Sequence, residues 1–143
     1  MDTNIWISAF INPFGPPARL VELARSGRLV LVISDYLTDE IREVARRPRI
    51  QRHLRVDVEE IDLILAELRP DSVYVVTDGT LHLCRDPDDD AILKTALRGN
   101  AHYVVSRDDD LKRDPDLIEQ LAAHGVGIIS VAKLLRQLDA DPG

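Results

Sequence analysis

The sequence predicts an α/β domain built on a parallel sheet. The chain has 143 residues, 45% of them hydrophobic, which suffices for one compact core and not for two. Short runs of β-branched residues alternate with longer segments of helical periodicity. The runs are apolar throughout, as in strands covered on both faces by helices. This alternation is typical of a doubly wound domain. We therefore predict a single domain over residues 1–138 and a short polar tail at 139–143.

The elements follow in order along the chain. Four apolar runs are predicted as strands: Leu29–Ile33, Val73–Val76, His102–Val105 and Val126–Ser130. Six segments are predicted as helices: Pro17–Ser26, Asp35–Arg46, Val56–Leu68, Asp88–Arg98, Asp116–His124 and Val131–Leu138. Capping and breaking residues support these bounds, since Ser34 can cap the second helix and Pro48 and Pro70 end helices. Three glycines lie where helices give way to strands, Gly27, Gly99 and Gly125.

Composition narrows the class of protein. No apolar run approaches the roughly 20 residues of a membrane helix, and no segment has the pattern of a signal peptide, so a cytoplasmic location is expected. The single cysteine, Cys84, cannot form an internal disulfide and is expected to serve packing. A net charge of -7 argues against indiscriminate binding of nucleic acid, although a charge summed over the surface does not describe one local patch.

Acidic residues follow the predicted strands. Ligands of such sheets gather at the carboxyl ends of the strands, and Asp108 comes just after the strand that ends at Val105. Glu40 lies in the second turn of the helix after Ile33, on the face that carries Leu37 and Val44. A carboxylate on an apolar helix face predicts a functional role for Glu40.

The stretch CRDPDDDAIL, residues 84–93, concentrates negative charge at the start of a helix. Asp86 before a proline suits an N-cap, and Asp88 and Asp89 suit the first turn, so these three have a structural explanation. Asp90 does not, because it shares a stripe with Leu93 and points toward the sheet. Two carboxylates held about 4 Å apart, where the effective dielectric is near 20, repel each other by roughly 4 kcal/mol. A bound cation would relieve this repulsion.

An EF-hand calcium loop is excluded for this stretch. Asp86, Asp88 and Asp90 match its first, third and fifth ligand positions. The sixth position, which needs glycine, is Ala91, and the twelfth, which needs glutamate, is Leu97.

Five segments in the same order resemble the PIN-domain family, and more narrowly its branch of toxin components of toxin–antitoxin systems, the VapC-like ribonucleases. They are DTN at 2–4, SDYLTDEIREVARRP at 34–48, CRDPDDDAILKTAL at 84–97, NAHYVVSRDDDL at 100–111 and GIISVAKLL at 127–135. The resemblance implies a three-layer α/β/α domain with a central, mainly parallel sheet. It also implies a ribonuclease that depends on Mg2+ or Mn2+. Members carry an apolar first strand before the initial aspartate, where this sequence has only Met1, so a truncated first strand is expected.

The resemblance also implies a site. Its catalytic and metal-binding acids would be Asp2, Glu40, Asp90 and Asp108, with supporting polar groups at Asn4, Asp86, Ser106 and Asp110. Hard divalent cations take such oxygen ligands, and a bound ion can generate the attacking hydroxide. Either Asp90 or Asp108 would accept the proton from water. The implied partners are an RNA substrate, a cognate antitoxin protein and a second copy in a homodimer, with no membrane.

Several alternatives stay open beside this interpretation. Arginines Arg46, Arg47, Arg49 and Arg52 suit phosphate, yet a solvated face of the protein, which is slightly favoured, also explains them. Trp6 is expected in the core or at a partner contact. A haloacid-dehalogenase phosphatase is disfavoured because Asn4 replaces its second aspartate, and a receiver domain because Lys112 is poorly placed. The main rival is a PIN scaffold that binds RNA or protein without cleaving it.

Overall fold

A computed structural model describes residues 1–77, 87–107 and 115–140, with residues 87–89 described for the backbone alone. The helices are α1 (Thr3–Ile11), α2 (Pro16–Arg25), α3 (Asp35–Arg46), α4 (Pro48–Gln51), α5 (Val58–Leu68), α6 (Pro87–Arg98), α7 (Pro115–Ala123) and α8 (Val131–Ala140). The strands are β1 (Val32–Ser34), β2 (Val73–Val75), β3 (Tyr103–Ser106) and β4 (Gly127–Ser130), and a 3-10 turn spans Arg69–Asp71.

The strands form two parallel pairs. β1 pairs with β2, with Val32 opposite Val73, and β3 pairs with β4, with Tyr103 opposite Gly127. The predicted α/β class with parallel strands is confirmed. Within the described residues, however, β1 and β3 do not pair with each other, and the sheet stands as two halves of two strands each. The first element of the described residues is α1.

The predicted helices occur close to their predicted bounds, because local capping fixes them. The Ser34 hydroxyl accepts the N–H of Leu37 at 3.1 Å, which starts α3 at Asp35 as predicted. The side chain of Asp57 accepts the N–H of Glu60 at 2.8 Å, so α5 begins at Val58 and not at Val56. α8 ends at Ala140, two residues past the predicted end at Leu138. In this last part of the helix, the carboxylate of Asp139 pairs with Arg19 at 2.7 Å.

The strands differ more from their prediction. Of the apolar run Leu29–Ile33, only the end becomes strand, and β1 extends to Ser34. The expectation that every strand is buried on both faces is wrong for β2, where Val73 is half-exposed and the following Val76 is 65% exposed. β2 has a strand neighbour on one side only among the described residues, so solvent reaches the residues at this edge.

The core lies around α1. Trp6 and Phe10 stack with ring centroids 6.2 Å apart and pack with α3 and α5 on one side of the β1–β2 half. Ile5, from a different face of α1, packs with β3, β4 and α8. α1 therefore joins the two halves, and Trp6 belongs to the core as one of the two predicted alternatives. No described helix has the length and apolar character needed to cross a bilayer.

Candidate active site

Asp2 sits where α1 meets the end of β3. Its Oδ1 accepts the N–H of Ile5 at 3.1 Å, which makes Asp2 the N-cap of α1. Its Oδ2 accepts the hydroxyl of Ser106, the last residue of β3, at 2.7 Å. The backbone N–H of Asp2 donates to the carbonyl of Val105 at 3.0 Å. Asp2 and Ser106, both predicted for the site, are thus brought together at the carboxyl end of β3.

Glu40 reaches the same place from the other half of the sheet. β1 ends at Ser34, α3 begins directly after it, and Glu40 lies in the second turn of α3. A cavity of about 440 Å3 between the two halves is lined by both Asp2 and Glu40. Two carboxylates from separate elements therefore face one cavity at the carboxyl ends of the strands, the position where ligands of α/β sheets bind.

Asp90 lies in the first turns of α6 and is only 5% exposed. The prediction that it points inward is confirmed, and the following residue, Ala91, lines the same cavity as Asp2 and Glu40. Its carboxylate Oδ2 lies 3.1 Å from the ammonium Nζ of Lys94, which is equally buried. A buried carboxylate needs a counterion, and within the described residues the lysine one turn further along α6 supplies it.

Lys94 was missed by the sequence reasoning, although its spacing could have revealed it. Asp90 and Lys94 stand four residues apart, the separation that brings side chains together on a helix. The sequence therefore also predicts Lys94 as a neighbour of Asp90 on α6. Among the described residues, the ammonium of Lys94 is thus a counterion of Asp90.

Hydroxyl groups join α6 and α3 at the floor of the site. The Thr95 hydroxyl donates to the Ser34 hydroxyl at 2.9 Å, so the cap of α3 is tied to α6.

Asp35 accepts the N–H and the hydroxyl of Thr77 at 2.9 and 3.0 Å. Burial acts to raise the pKa of Asp35, but hydrogen bonds from Thr77 and from the backbone of residues 35 and 36 together outweigh it and lower the pKa.

The remaining predicted residues divide into two groups. Asn4 is exposed on α1 and does not line the cavity. Asp86, Asp108 and Asp110, like Cys84 and Lys112, lie outside the described residues.

The described acids fit a hard cation in chemistry, since Asp2, Glu40 and Asp90 all offer carboxylate oxygens. Within residues 1–77, 87–107 and 115–140, however, no three acidic, histidine or cysteine side chains form a group that could hold a metal ion. These residues supply only part of a ligand set, and Asp108 would be needed to extend it.

The predicted arginines lie at the end of α3 and just after it. Arg46 ends α3, six residues beyond Glu40, which places it about 9 Å further along the helix axis. Arg46, Arg49 and Arg52 are exposed, and Arg47 pairs with Glu43 at 3.2 Å.

The fold and the acidic cavity define an α/β protein with a carboxylate site at the ends of parallel strands. A family model described as PIN domain matches residues 1–110. The chain is 30% identical over 111 residues to the uncharacterized protein MJ1680 of Methanocaldococcus jannaschii, a match covering 78% of this chain and 70% of that protein. No solved structure matches the chain with statistical significance. The chain belongs to the PIN-domain family, whose members are generally nucleases and typically use divalent metals.

Proposed function

We propose that the protein is an endoribonuclease that depends on Mg2+ or Mn2+ and serves as the toxin of a toxin–antitoxin pair. The observation that supports this proposal most directly is the convergence of Asp2 and Glu40 on one cavity, with Asp90 buried beside its wall. Asp2 precedes α1, Glu40 lies on α3 and Asp90 lies on α6. Membership of the PIN-domain family supports a nuclease.

In this proposal Asp2, Glu40, Asp90 and Asp108 would hold the metal. A bound divalent ion supplies a water of lowered pKa and stabilises charge on the phosphoryl oxygens. The protein orients the ligands beforehand: Ser106 fixes one oxygen of Asp2, and the backbone of α1 fixes the other. The ammonium of Lys94, 3.1 Å from Oδ2 of Asp90, is a counterion for this buried carboxylate.

Cleavage of mixed RNA oligonucleotides in Mn2+ or Mg2+ tests the proposal. We expect Asp90→Asn to lower the rate by at least about 100-fold, the scale of losing one essential electrostatic group. EDTA should abolish cleavage. Asp116→Asn, the same change at an exposed aspartate at the start of α7, is the matched control and should leave the rate unchanged. Cleavage that survives EDTA or the Asp90 substitution would rule out this mechanism.

A second candidate function is a PIN scaffold that binds RNA or protein without cleavage. The ion pair between Asp90 and Lys94 favours it, because the ammonium already neutralises one of the carboxylates that a metal would need. RNA binding by the wild type in Mn2+, measured by fluorescence anisotropy, with no cleavage products over the same period, would select this function.

The proposed partners follow from the nuclease. RNA would contact the exposed arginines Arg46, Arg47, Arg49 and Arg52, whose replacement by alanine should weaken RNA binding and reduce its salt dependence. A cognate antitoxin would cover the acidic cavity and inhibit cleavage when co-purified. A homodimer would give twice the chain mass of 16.1 kDa in light scattering.

A further inference from the structure

One aromatic side chain projects into solvent from a constrained turn. Phe14, in the turn between α1 and α2, is 97% exposed. Its N–H donates to Oδ1 of Asn12 at 3.1 Å, and the N–H of Gly15 donates to the backbone carbonyl of Asn12 at 3.2 Å. Pro13 fixes its own φ, and α2 begins with Pro16 directly after Gly15. Local bonds therefore hold the turn in shape, and the ring is presented in advance to a partner.

A basic segment, residues 46–55, reaches the same end of α1. The N–H of Arg55 donates to the carbonyl of Phe10, in the last turn of α1, at 3.0 Å. Ile50 and Leu54 pack against the core cluster that contains Phe10. Phe14 follows Phe10 by four residues, so its Cα lies within about 14 Å of the Cα of Phe10. The exposed ring and the basic segment therefore lie together at the carboxyl end of α1.

The basic segment concentrates positive charge in an acidic chain. It contains five arginines and no aspartate or glutamate, whereas the whole chain has a net charge of -7. All five are exposed: Arg46, Arg47, Arg49, Arg52 and Arg55. Among the described residues, Arg47 alone of these five forms an ion pair, with Glu43. The next acids along the chain lie at the start of α5, where the helix N-terminus stabilises them: Asp57, Glu59 and Glu60. The other four guanidinium groups are thus suited to an anionic partner.

An aromatic ring beside arginines matches single-stranded RNA. Each nucleotide offers an anionic phosphate, which guanidinium groups bind with paired hydrogen bonds, and a flat base, which stacks on an aromatic ring whatever the sequence. In a duplex the bases stack on one another, so the ring would find no free base face. An exposed apolar side chain on its own is common on protein surfaces. The constrained turn and the neighbouring arginines distinguish Phe14 from such a residue.

The two ends of α1 differ in charge. α1 has nine residues, which gives it a length of about 14 Å. Asp2 caps its start, beside the cavity, and Phe14 follows its end. α3 leads the same way, from Glu40 at the cavity to the basic segment that contacts the end of α1. A strand that advances about 3.4 Å per nucleotide covers this length with about four nucleotides.

We propose that Phe14 stacks on a base of single-stranded RNA about four nucleotides away from the acidic cavity, while the arginines of the basic segment hold neighbouring phosphates. This surface selects unpaired RNA and does not read one sequence. The inference rests on RNA as the partner in the proposed function, and it does not depend on cleavage. Phe14 binds the substrate and takes no part in the chemistry.

Fluorescence anisotropy in EDTA, with a labelled single-stranded RNA of about 12 nucleotides, tests the stacking. We expect Phe14→Ala to raise the Kd by about 5- to 100-fold, the effect of losing one stacked base. Phe14→Trp keeps an aromatic face, so its Kd should stay within about threefold of the wild-type value. Leu63→Ala truncates another exposed apolar side chain, on α5, and is the matched control that should leave the Kd unchanged.

The salt dependence of the Kd separates the ring from the arginines. Phe14→Ala removes no phosphate contact, so its plot of log Kd against log salt should run parallel to that of the wild type. Arg52→Ala should lower the slope by about 0.7, the value for one phosphate contact to a single strand. For a duplex RNA of the same length, Phe14→Ala should change the Kd by less than about twofold.

The proposal is wrong if the wild type does not bind the single strand, or if Phe14→Ala changes its Kd by less than about twofold. Full affinity in Phe14→Leu would also overturn it, because an apolar contact without an aromatic face would then suffice. If Phe14→Ala keeps its RNA affinity but lowers the mass of the protein in light scattering, the ring belongs to a protein interface instead. Since binding is measured in EDTA, a negative result here leaves the cleavage test with Asp90→Asn standing, and the reverse also holds.

Discussion

The buried ion pair between Asp90 and Lys94 sets the stability of the site. Replacing Lys94 with methionine keeps the apolar stem and removes the charge, so the buried Asp90 carboxylate loses this counterion. At the observed 3.1 Å and an effective dielectric near 20, the lost attraction is roughly 5 kcal/mol. Breaking one partner of a buried pair costs about 3–5 kcal/mol. We expect Lys94→Met to lower the free energy of unfolding by this amount, a large share of a typical total of about 5–15 kcal/mol.

Urea denaturation in EDTA measures this loss. Lys133→Met, the same change on the exposed side of α8, should alter the free energy of unfolding by no more than about 0.5 kcal/mol. The double variant Asp90→Asn with Lys94→Met carries no buried charge at the pair and should recover at least about half of the loss. If the free energy of unfolding of Lys94→Met lies within about 1 kcal/mol of the wild-type value, the reasoning from a buried ion pair is wrong. It is also wrong if the double variant is no more stable than Lys94→Met alone.

Two further predictions concern the contacts around the site. A Cβ on Gly99 would overlap a methyl carbon of Val32, so Gly99→Ala should lower the free energy of unfolding by about 1–3 kcal/mol in urea denaturation, and Val32→Ala in the same chain should relieve part of that loss. Full stability of Gly99→Ala would contradict the close approach of Gly99, just after α6, to β1. In the folded protein the pKa of the Asp35 carboxyl is lowered from its ordinary value of 3.8. The contribution of this carboxylate to the free energy of unfolding is therefore fully present above pH 3.8, and it is lost as the pH falls through the lower folded-state pKa. Urea midpoints across that range should therefore fall less steeply for Asp35→Asn than for the wild type, and parallel curves would show that the bonds from Thr77 contribute nothing.

Local chemistry explains which parts of the fold were predictable. α3 was predicted to the residue because Ser34 has a side chain that caps it and Pro48 follows its end. Asp90 was placed on the buried face because helical periodicity is a property of the sequence. Both arguments need only neighbouring residues, and in both cases the structure agrees with them.

The remaining features depend on contacts between distant segments. Nothing near Asp2 indicates that its carboxylate bonds to Ser106, 104 residues away. The shortness of β1 and the exposure of β2 follow from how strands are paired across the sheet, which local propensity does not encode. Lys94 is the exception, since its spacing of four residues from Asp90 is enough to predict that the two side chains meet on α6. Asp108, predicted through the family resemblance, stays a prediction because it lies outside the described residues.

The carboxylate of Asp2 makes two different structural contacts. It caps the first turn of α1 through one oxygen and holds Ser106 through the other, while the far side of that helix anchors Trp6 in the core. A ligand that pulled Asp2 toward the cavity would weaken the start of α1, so occupancy of the cavity and the order of this helix are mechanically linked. Asp2→Asn would remove the charge and keep the start of α1 capped, since asparagine is itself a good cap. Asp2→Ala would remove both the charge and the cap.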